Sequence, residues 1–485
     1  MTLVIDGHPF AYEMENLCRL FYPREKIETV TDPRERQDGP LVYTGVRHLP
    51  EGIRLDVRLK IGSSERNSSG LLPAATEEAE LKRKMAAVLW KMLADLRGMR
   101  PAWGILTGVR PIKLYGRLAS ETGDAAASDY FRNKLLVSPE KTELARLTWD
   151  NQKEMLSLSK PESYSLYIAI PFCPTRCAYC SFVSTSVEKA ARLISQYVEL
   201  LCGELRRTAE LARDLRLSLQ SVYIGGGTPT VLSADQLAEV IAAVRENFDL
   251  SDCREFTVEA GRPDTVTVDK LAAMRVGGVT RISINPQTLN DEVLREIGRR
   301  HTAAQTLSAF GLARGHGFGN INMDLIAGLP KDTPESFRRT LEKVASLAPE
   351  SITVHTLALK RAARLSREGA KDLQAEAADR MVSFADGMLP QHGYRPYYLY
   401  RQSRMVGNLE NTGWAKPGFE SLYNVFIMEE CQSILACGAG AVTKLKDPYS
   451  DHIERVFNFK YPYEYIGRYA EMMKRKDRVT EFYES

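Results

Sequence analysis

Three cysteines, Cys173, Cys177 and Cys180, stand in the run YSLYIAIPFCPTRCAYCSF, just after a short apolar, strand-like stretch from Tyr167 to Ile170. Three thiolates at this spacing can hold three irons of a cubic iron–sulfur cluster and leave the fourth iron open. An open iron is what a second ligand needs. A zinc site wants a fourth protein ligand with its own spacing, and no nearby Cys or His supplies one. The four-cysteine ferredoxin spacing is also absent. The alternative is three buried structural cysteines, but three of the chain's eight cysteines fall in this one loop.

A second cluster of informative residues follows. YIGGGTPT, Tyr223 to Thr230, comes after the apolar end of an expected strand. Glycines allow close approach of a ligand and expose backbone N–H groups. A tight turn alone would also explain them. The distance from the cysteine loop suits the end of the next strand of a barrel.

The elements that must position these residues follow a strand-then-helix rhythm from Tyr164 to about Arg361. The expected strands are Leu166–Ile170, Ser221–Ile224, Glu255–Val258, Arg281–Ile284, Ile321–Ile326 and Ser351–Leu357. Amphipathic stretches at Glu199–Leu215, Ala234–Asn247 and Pro334–Leu347 separate them. Six such units form an incomplete parallel barrel, an α/β fold in which strand ends carry the chemistry. The cysteine loop, the glycine run, Glu259, Gln287 and Asp324 all lie at or near strand C-termini. An open Rossmann-type sheet is the alternative, but no GxGxxG follows a first strand.

Around this core the chain of 485 residues has room for two or three domains. The expected division is an N-terminal α+β accessory domain over 1–160, the partial barrel over 161–367, and a mostly helical C-terminal region over 368–485. In the first, LVYTGVRHL and IRLDVRLKIG alternate as paired strands do, and Glu77 to Gly98 reads as a long amphipathic helix. WGILTGVRPIKLYG could bind a ligand; alternatively Trp103 and Leu106 fill a small core while Arg110 caps a helix. In the last, Ala370–Leu389 looks helical, and GYRPYYLYRQSRMVGNLENTGWAKPG is aromatic and basic, suited to a flat anionic ligand.

Charge and composition narrow the classes further. Lysines and arginines number 65 against 62 acidic residues, interspersed, so no basic stripe points to nucleic acid. No apolar run has membrane-spanning length. The start, MTLVIDGHPF, has an early aspartate and no n-region, which argues against a signal peptide. The other cysteines show no disulfide framework, so a reducing cytoplasm is expected.

Together the cysteine and glycine motifs resemble the radical S-adenosylmethionine (SAM) superfamily. The blocks LYIAIPFCPTRCAYCSF, YIGGGTPT, FTVEAGRPDT, RISINPQT, IGRRHT, INMDLIAGLP and CGAGAVTK narrow the resemblance to the oxygen-independent coproporphyrinogen III oxidase family, in its Gram-positive branch. The resemblance implies a [4Fe–4S] cluster on Cys173, Cys177 and Cys180, with SAM chelating the open iron. It implies Tyr167 and Tyr179 beside cluster and SAM, with Gly226, Gly227, Thr228 and Glu259 at the methionine end. Gln287, Arg299 and Asp324 would contact the SAM ribose or carboxylate, and Ile326 and Ala358 would hold the adenine. The implied substrate is coproporphyrinogen III, a tetrapyrrole whose propionates become vinyl groups, with a flavodoxin or ferredoxin as electron donor. Arg395, Arg401, Arg404 and Lys416 are candidate partners for its carboxylates. Replacing Gly227 with valine is expected to remove SAM binding and leave the cluster intact.

One position departs from the pattern. The proteobacterial enzymes of the family carry a fourth cysteine where this chain has Phe182. The related heme chaperones lack it too, which makes heme binding without decarboxylation the alternative function.

Overall fold

Six strands supply the frame of the larger part of the chain: Ser163–Ile170, Ser218–Gly226, Glu255–Glu259, Arg281–Ser283, Ile321–Ala327 and Ser351–Thr356. They lie side by side in chain order, each parallel to the next. Their side chains are buried almost without break, as in Ile321–Ala327, because helices cover such sheets. The structure is a computed structural model that describes residues 1–32, 39–182, 184–358, 375–402 and 405–484.

The connecting helices begin where their caps dictate. Ser233 and Gln236 form a reciprocal capping box ahead of Ala234–Asn247, and Thr302 and Gln305 do the same ahead of Ala303–Gly315. Thr333 caps Pro334–Ser346, where proline occupies the first turn without losing a hydrogen bond.

Among the described residues after 374, the helices are interleaved with five strands that the expectation of a mostly helical region did not include. Asn411–Ala415 and Arg395–Tyr400 extend the sheet antiparallel beyond Ser351–Thr356. On the opposite edge Ser433–Cys437 joins Ser163–Ile170 in parallel, followed by Val442–Lys446 and Ile453–Phe457. The result is one sheet of eleven strands. Aromatic, β-branched and small residues dominate these C-terminal strands, a composition that a search for loops and helices passes over.

The helix Ile194–Asp214 locks the last strands in place through one buried carboxylate. Glu204 accepts from the Gly438 amide at 2.8 Å, the Tyr465 hydroxyl at 2.6 Å and the Asn458 amide at 2.7 Å. Lys476 Nζ lies 2.7 Å from the same group. Gly438 has φ +96°, and a Cβ there would meet the Ala169 carbonyl at 2.5 Å. The CGAGAVTK block therefore owes Gly438 to packing.

The chain divides into two compact units, Met1–Arg146 with Gly407–Leu409, and Leu147–Val406 with Glu410–Ser485. The first has a sheet of five strands, in the order Glu28–Val30, Thr2–Asp6, Leu41–Leu49, Gly52–Ile61, Ser64–Leu72. Ile53, Leu55, Val57 and Leu59 alternate along one strand to meet Met14, Leu17 and Phe21 of one helix and Met85, Leu89 and Leu93 of another. Trp103 is buried, as a core-filling residue would be.

Candidate active site

A cavity of about 340 Å³ opens at the C-terminal ends of the six parallel strands. That volume is in the range of small-molecule pockets. Cys173, Cys177 and Cys180 line it, together with Tyr179, Gly226, Gly227, Thr228, Glu259, Gln287, Arg299, Asp324, Ile326 and Ala358. Tyr167 differs from the others. It stacks on Tyr423 at 6.1 Å between centroids, and Tyr423 stacks on Tyr223 at 4.4 Å, so Tyr167 sits beside the cavity and does not line it.

The cysteine loop is held by its neighbours. Gly227 N–H donates to the Ile170 carbonyl at 2.8 Å and Thr228 N–H to the Phe172 carbonyl at 2.7 Å. The glycine run thus continues the strand pairing onto the start of the loop. A Cβ on Gly227 would lie 2.5 Å from the Phe172 oxygen. The obstacle is a backbone carbonyl, which cannot swing aside as a side chain can, so the missing Cβ serves the cysteine loop itself. A valine side chain at Gly227 would therefore press on the start of the cysteine loop as well as on the glycine run. Farther along, Ala178 N–H donates to the Ile297 carbonyl at 2.9 Å, and the Thr175 hydroxyl to the Gly298 carbonyl at 3.1 Å.

All three thiols are uncrosslinked. Burial raises the pKa of Cys173, and burial pushes the Cys180 thiol up to about 11. Metal binding therefore has to displace their protons. Among the described residues, no three His, Cys, Asp or Glu side chains converge on a point that would hold a single ion. A cubane needs no such point, because it takes one thiolate per iron. The Thr228 hydroxyl reaches Cys173 Sγ at 3.6 Å, and Arg262 Nη1 reaches Cys177 Sγ at 3.8 Å. Soft sulfur donors facing a common volume, with hydrogen-bond donors directed at them, fit an anionic iron–sulfur cluster.

Deeper in the cavity the groups are acidic and amide. Tyr223 donates to Glu259 Oε1 at 2.6 Å. Burial, with help from Asp324, raises the Glu259 carboxyl to about 7 against the hydrogen bonds it accepts. Asp324 goes the other way. Burial would raise it, but hydrogen bonds from His355, Asn322 and Thr353 bring it below the usual carboxylate value. Asn322 Nδ2 is 2.6 Å from one Asp324 oxygen, and His355 Nε2 is 3.7 Å from the other. His355 also lines the cavity.

Gln287 carries a left-handed backbone, φ +70°. Its N–H donates to the Asp324 carbonyl and its own carbonyl accepts from Ile326. The conformation turns its side chain into the cavity, where Oε1 is buried without a partner. Arg299 is almost fully buried. Its guanidinium donates to the Asn285 carbonyl at 2.7 Å, the Gly261 carbonyl at 3.3 Å and the Tyr179 hydroxyl at 3.2 Å. Arg262 and Asn285, also on the cavity, were not singled out from the sequence. The only hint was the place of Arg262 three residues after Glu259 in FTVEAGRPDT.

The candidate carboxylate partners separate by position. Arg395 and Lys416 lie level with or beyond Ser351, at the start of its strand and so at the end of the sheet away from the cavity. Lys416 is tied to the Ala348 carbonyl. Arg401 is buried, and burial lowers its pKa to about 10 against the pull of Glu410. Arg404 lies outside the described residues. Phe182, at the position of the missing fourth cysteine, lines the cavity and is 66% exposed.

Residues 167–344 match the model of the radical SAM superfamily. The chain is 36% identical over 482 residues to the oxygen-independent coproporphyrinogen-III oxidase-like protein HemZ of Bacillus subtilis, covering 96% of this chain and 95% of that protein. It is 30% identical to the heme chaperone HemW of Haemophilus influenzae, over 66% of this chain and 81% of the relative. Among solved structures, coproporphyrinogen III oxidase (HemN) from Escherichia coli aligns with TM-score 0.52 and 26% identity, covering 66% of this chain and 72% of that one. With a relative matched over nearly the whole of both chains, and three cysteines brought to one cavity at the strand ends, the chain belongs to the oxygen-independent coproporphyrinogen III oxidase-like family of the radical SAM superfamily.

Proposed function

We propose that this protein oxidatively decarboxylates two propionates of coproporphyrinogen III to vinyl groups, giving protoporphyrinogen IX without oxygen. The match to an oxidase-like relative over 96% of the chain carries this reading. The six parallel strands are taken as an incomplete (β/α)6 barrel, with 1–160 as an accessory domain and 368–485 covering the substrate. When bound, the cluster and SAM would supply hydrogen-atom abstraction at the β-carbon of a propionate, after which the substrate would release carbon dioxide and pass one electron to a one-electron acceptor to leave the vinyl group.

The chain's own residues prepare that event. Cys173, Cys177 and Cys180 hold the cluster. Glu259 offers a carboxylate to the SAM ammonium, and Asp324, ionised at neutral pH, accepts from ribose hydroxyls. Gln287 brings an unpaired amide oxygen to the same wall. Tyr179, fixed by Arg299, closes the cavity beside the sulfurs. Ile326 and Ala358 give the adenine an apolar ledge. No general base is needed for hydrogen abstraction. Electrons arrive from a reduced flavin or iron–sulfur carrier of the flavodoxin or ferredoxin kind.

Phe182 and the similarity to heme chaperones favour one second reading, heme binding without decarboxylation. Anaerobic incubation of the reconstituted protein with SAM, a reductant and coproporphyrinogen III separates the two. Mass analysis should find 5'-deoxyadenosine and products short by one and two carboxyl groups. Tight heme binding with neither product would replace the oxidase reading with the chaperone one.

A further inference from the structure

Arg262 follows the third parallel strand, between Glu259 and the turn Pro263–Thr265, and is 3% exposed. Its guanidinium bridges two sides. Nε donates to Asp264 Oδ1 at 3.2 Å and Nη2 to Asp264 Oδ2 at 3.4 Å. On the other side Nη1 reaches the Thr175 carbonyl at 3.4 Å, the Thr175 hydroxyl at 3.2 Å and Cys177 Sγ at 3.8 Å. Nη2 also reaches the Thr175 hydroxyl, at 3.2 Å. The carboxylate orients the fork, and the fork holds the loop between the first two cysteines.

The charges around it leave a positive balance near the sulfurs. Arg299 is a second buried cation, bonded to Tyr179. Asp264 is the anion in contact with Arg262. His301, 3.7 Å from Asp264, is buried. Three thiolates and a cubane carry net negative charge, and one-electron reduction adds one more. A buried cation bonded to a ligand sulfur stabilises the reduced form more than the oxidised form.

We propose that Arg262 is a positioning residue that fixes Cys177 and raises the reduction potential of the cluster. The inference rests on the reading of the three cysteines as cluster ligands. The step is the uptake of one electron from a reduced flavin or iron–sulfur carrier, with no bond made or broken. Asp264 sets the direction of the guanidinium, and Thr228 supplies the matching neutral donor at Cys173.

The test compares the wild type with R262Q and R262K, each reconstituted anaerobically, by iron and sulfide content and by redox titration followed by electron paramagnetic resonance. Dithionite poises the samples and SAM is omitted, so turnover plays no part. R262Q should retain about four irons, with the equilibrium constant for reduction falling about tenfold, a shift of about 59 mV to more negative potential for one electron. R262K keeps the charge but cannot span Thr175 and Cys177 together, so its midpoint should lie between the other two. Loaded variants with the wild-type midpoint would overturn the role of Arg262. If R262Q cannot hold iron, R262K decides: a lowered midpoint supports the proposal and a wild-type midpoint overturns it. A wild type that takes up no iron would overturn the cluster reading, and this inference with it.

Discussion

At the scale of single residues, Glu259 is a cavity group whose charge depends on pH near neutrality. A carboxyl near 7 is partly protonated in neutral solution, and a bound ammonium would favour its ionised form. SAM affinity should therefore fall by about tenfold in all as pH drops from 8 to 6. Anaerobic calorimetry at several pH values measures this, and Glu259→Gln should flatten the profile. Stability follows the opposite sign. A raised carboxyl contributes fully below its unfolded value of 4.5, and the contribution is lost as pH climbs through about 7. The ligand-free Glu259→Gln protein should gain on the order of 1–3 kcal/mol over wild type at pH 8 and little at pH 4. Urea unfolding at the two pH values checks it. Equal gains at both would show that the carboxylate is not strained.

At the scale of elements, the glycine run and the cysteine loop behave as one unit. Gly227→Val should lose iron as well as SAM, because its side chain would strike the Phe172 carbonyl. Asp324→Asn leaves the loop untouched. It should keep about four irons while SAM binding weakens by about 1.5–3 kcal/mol, the worth of a charged hydrogen bond. Iron analysis beside calorimetry separates the two variants. The six parallel strands and the helix Ala234–Asn247 could be read directly, because long apolar runs and a Ser–Gln cap are local signals. The strand Ser64–Leu72 could not. SERNSSGLL has no apolar alternation, and its pairing with Gly52–Ile61 alone makes it a strand. Arg395–Tyr400 and Asn411–Ala415 were hidden for a related reason, since their place depends on a distant edge at Ser351–Thr356. The cysteines and strand-end acids were legible from spacing. Arg262 was not, because only the folded loop brings it to Cys177.

At the scale of the whole molecule, the buried Glu204–Lys476 pair joins the C-terminal helices to the core of the sheet. Removing one partner leaves a charge without compensation. Lys476→Met should cost about 3–5 kcal/mol of unfolding free energy. Breaking the exposed Arg468–Glu471 pair with Arg468→Ala should cost no more than about 1 kcal/mol from the ion pair itself. Chemical denaturation of both variants measures the difference. Similar losses would mean that the buried pair is not a keystone. Among the described residues no helix is long and apolar enough to cross a membrane.

The loop that carries the cysteines is tied to the glycine run, to Arg262 and to the Ile297–Gly298 turn. Ordering a backbone costs about 1–2 kcal/mol per residue, and these ties offset part of that cost when the chain folds. In zinc fingers the metal has to organise the chain, and metal affinity is spent on folding. With the three cysteines as cluster ligands, these protein contacts would carry part of the ordering that a zinc finger leaves to its metal.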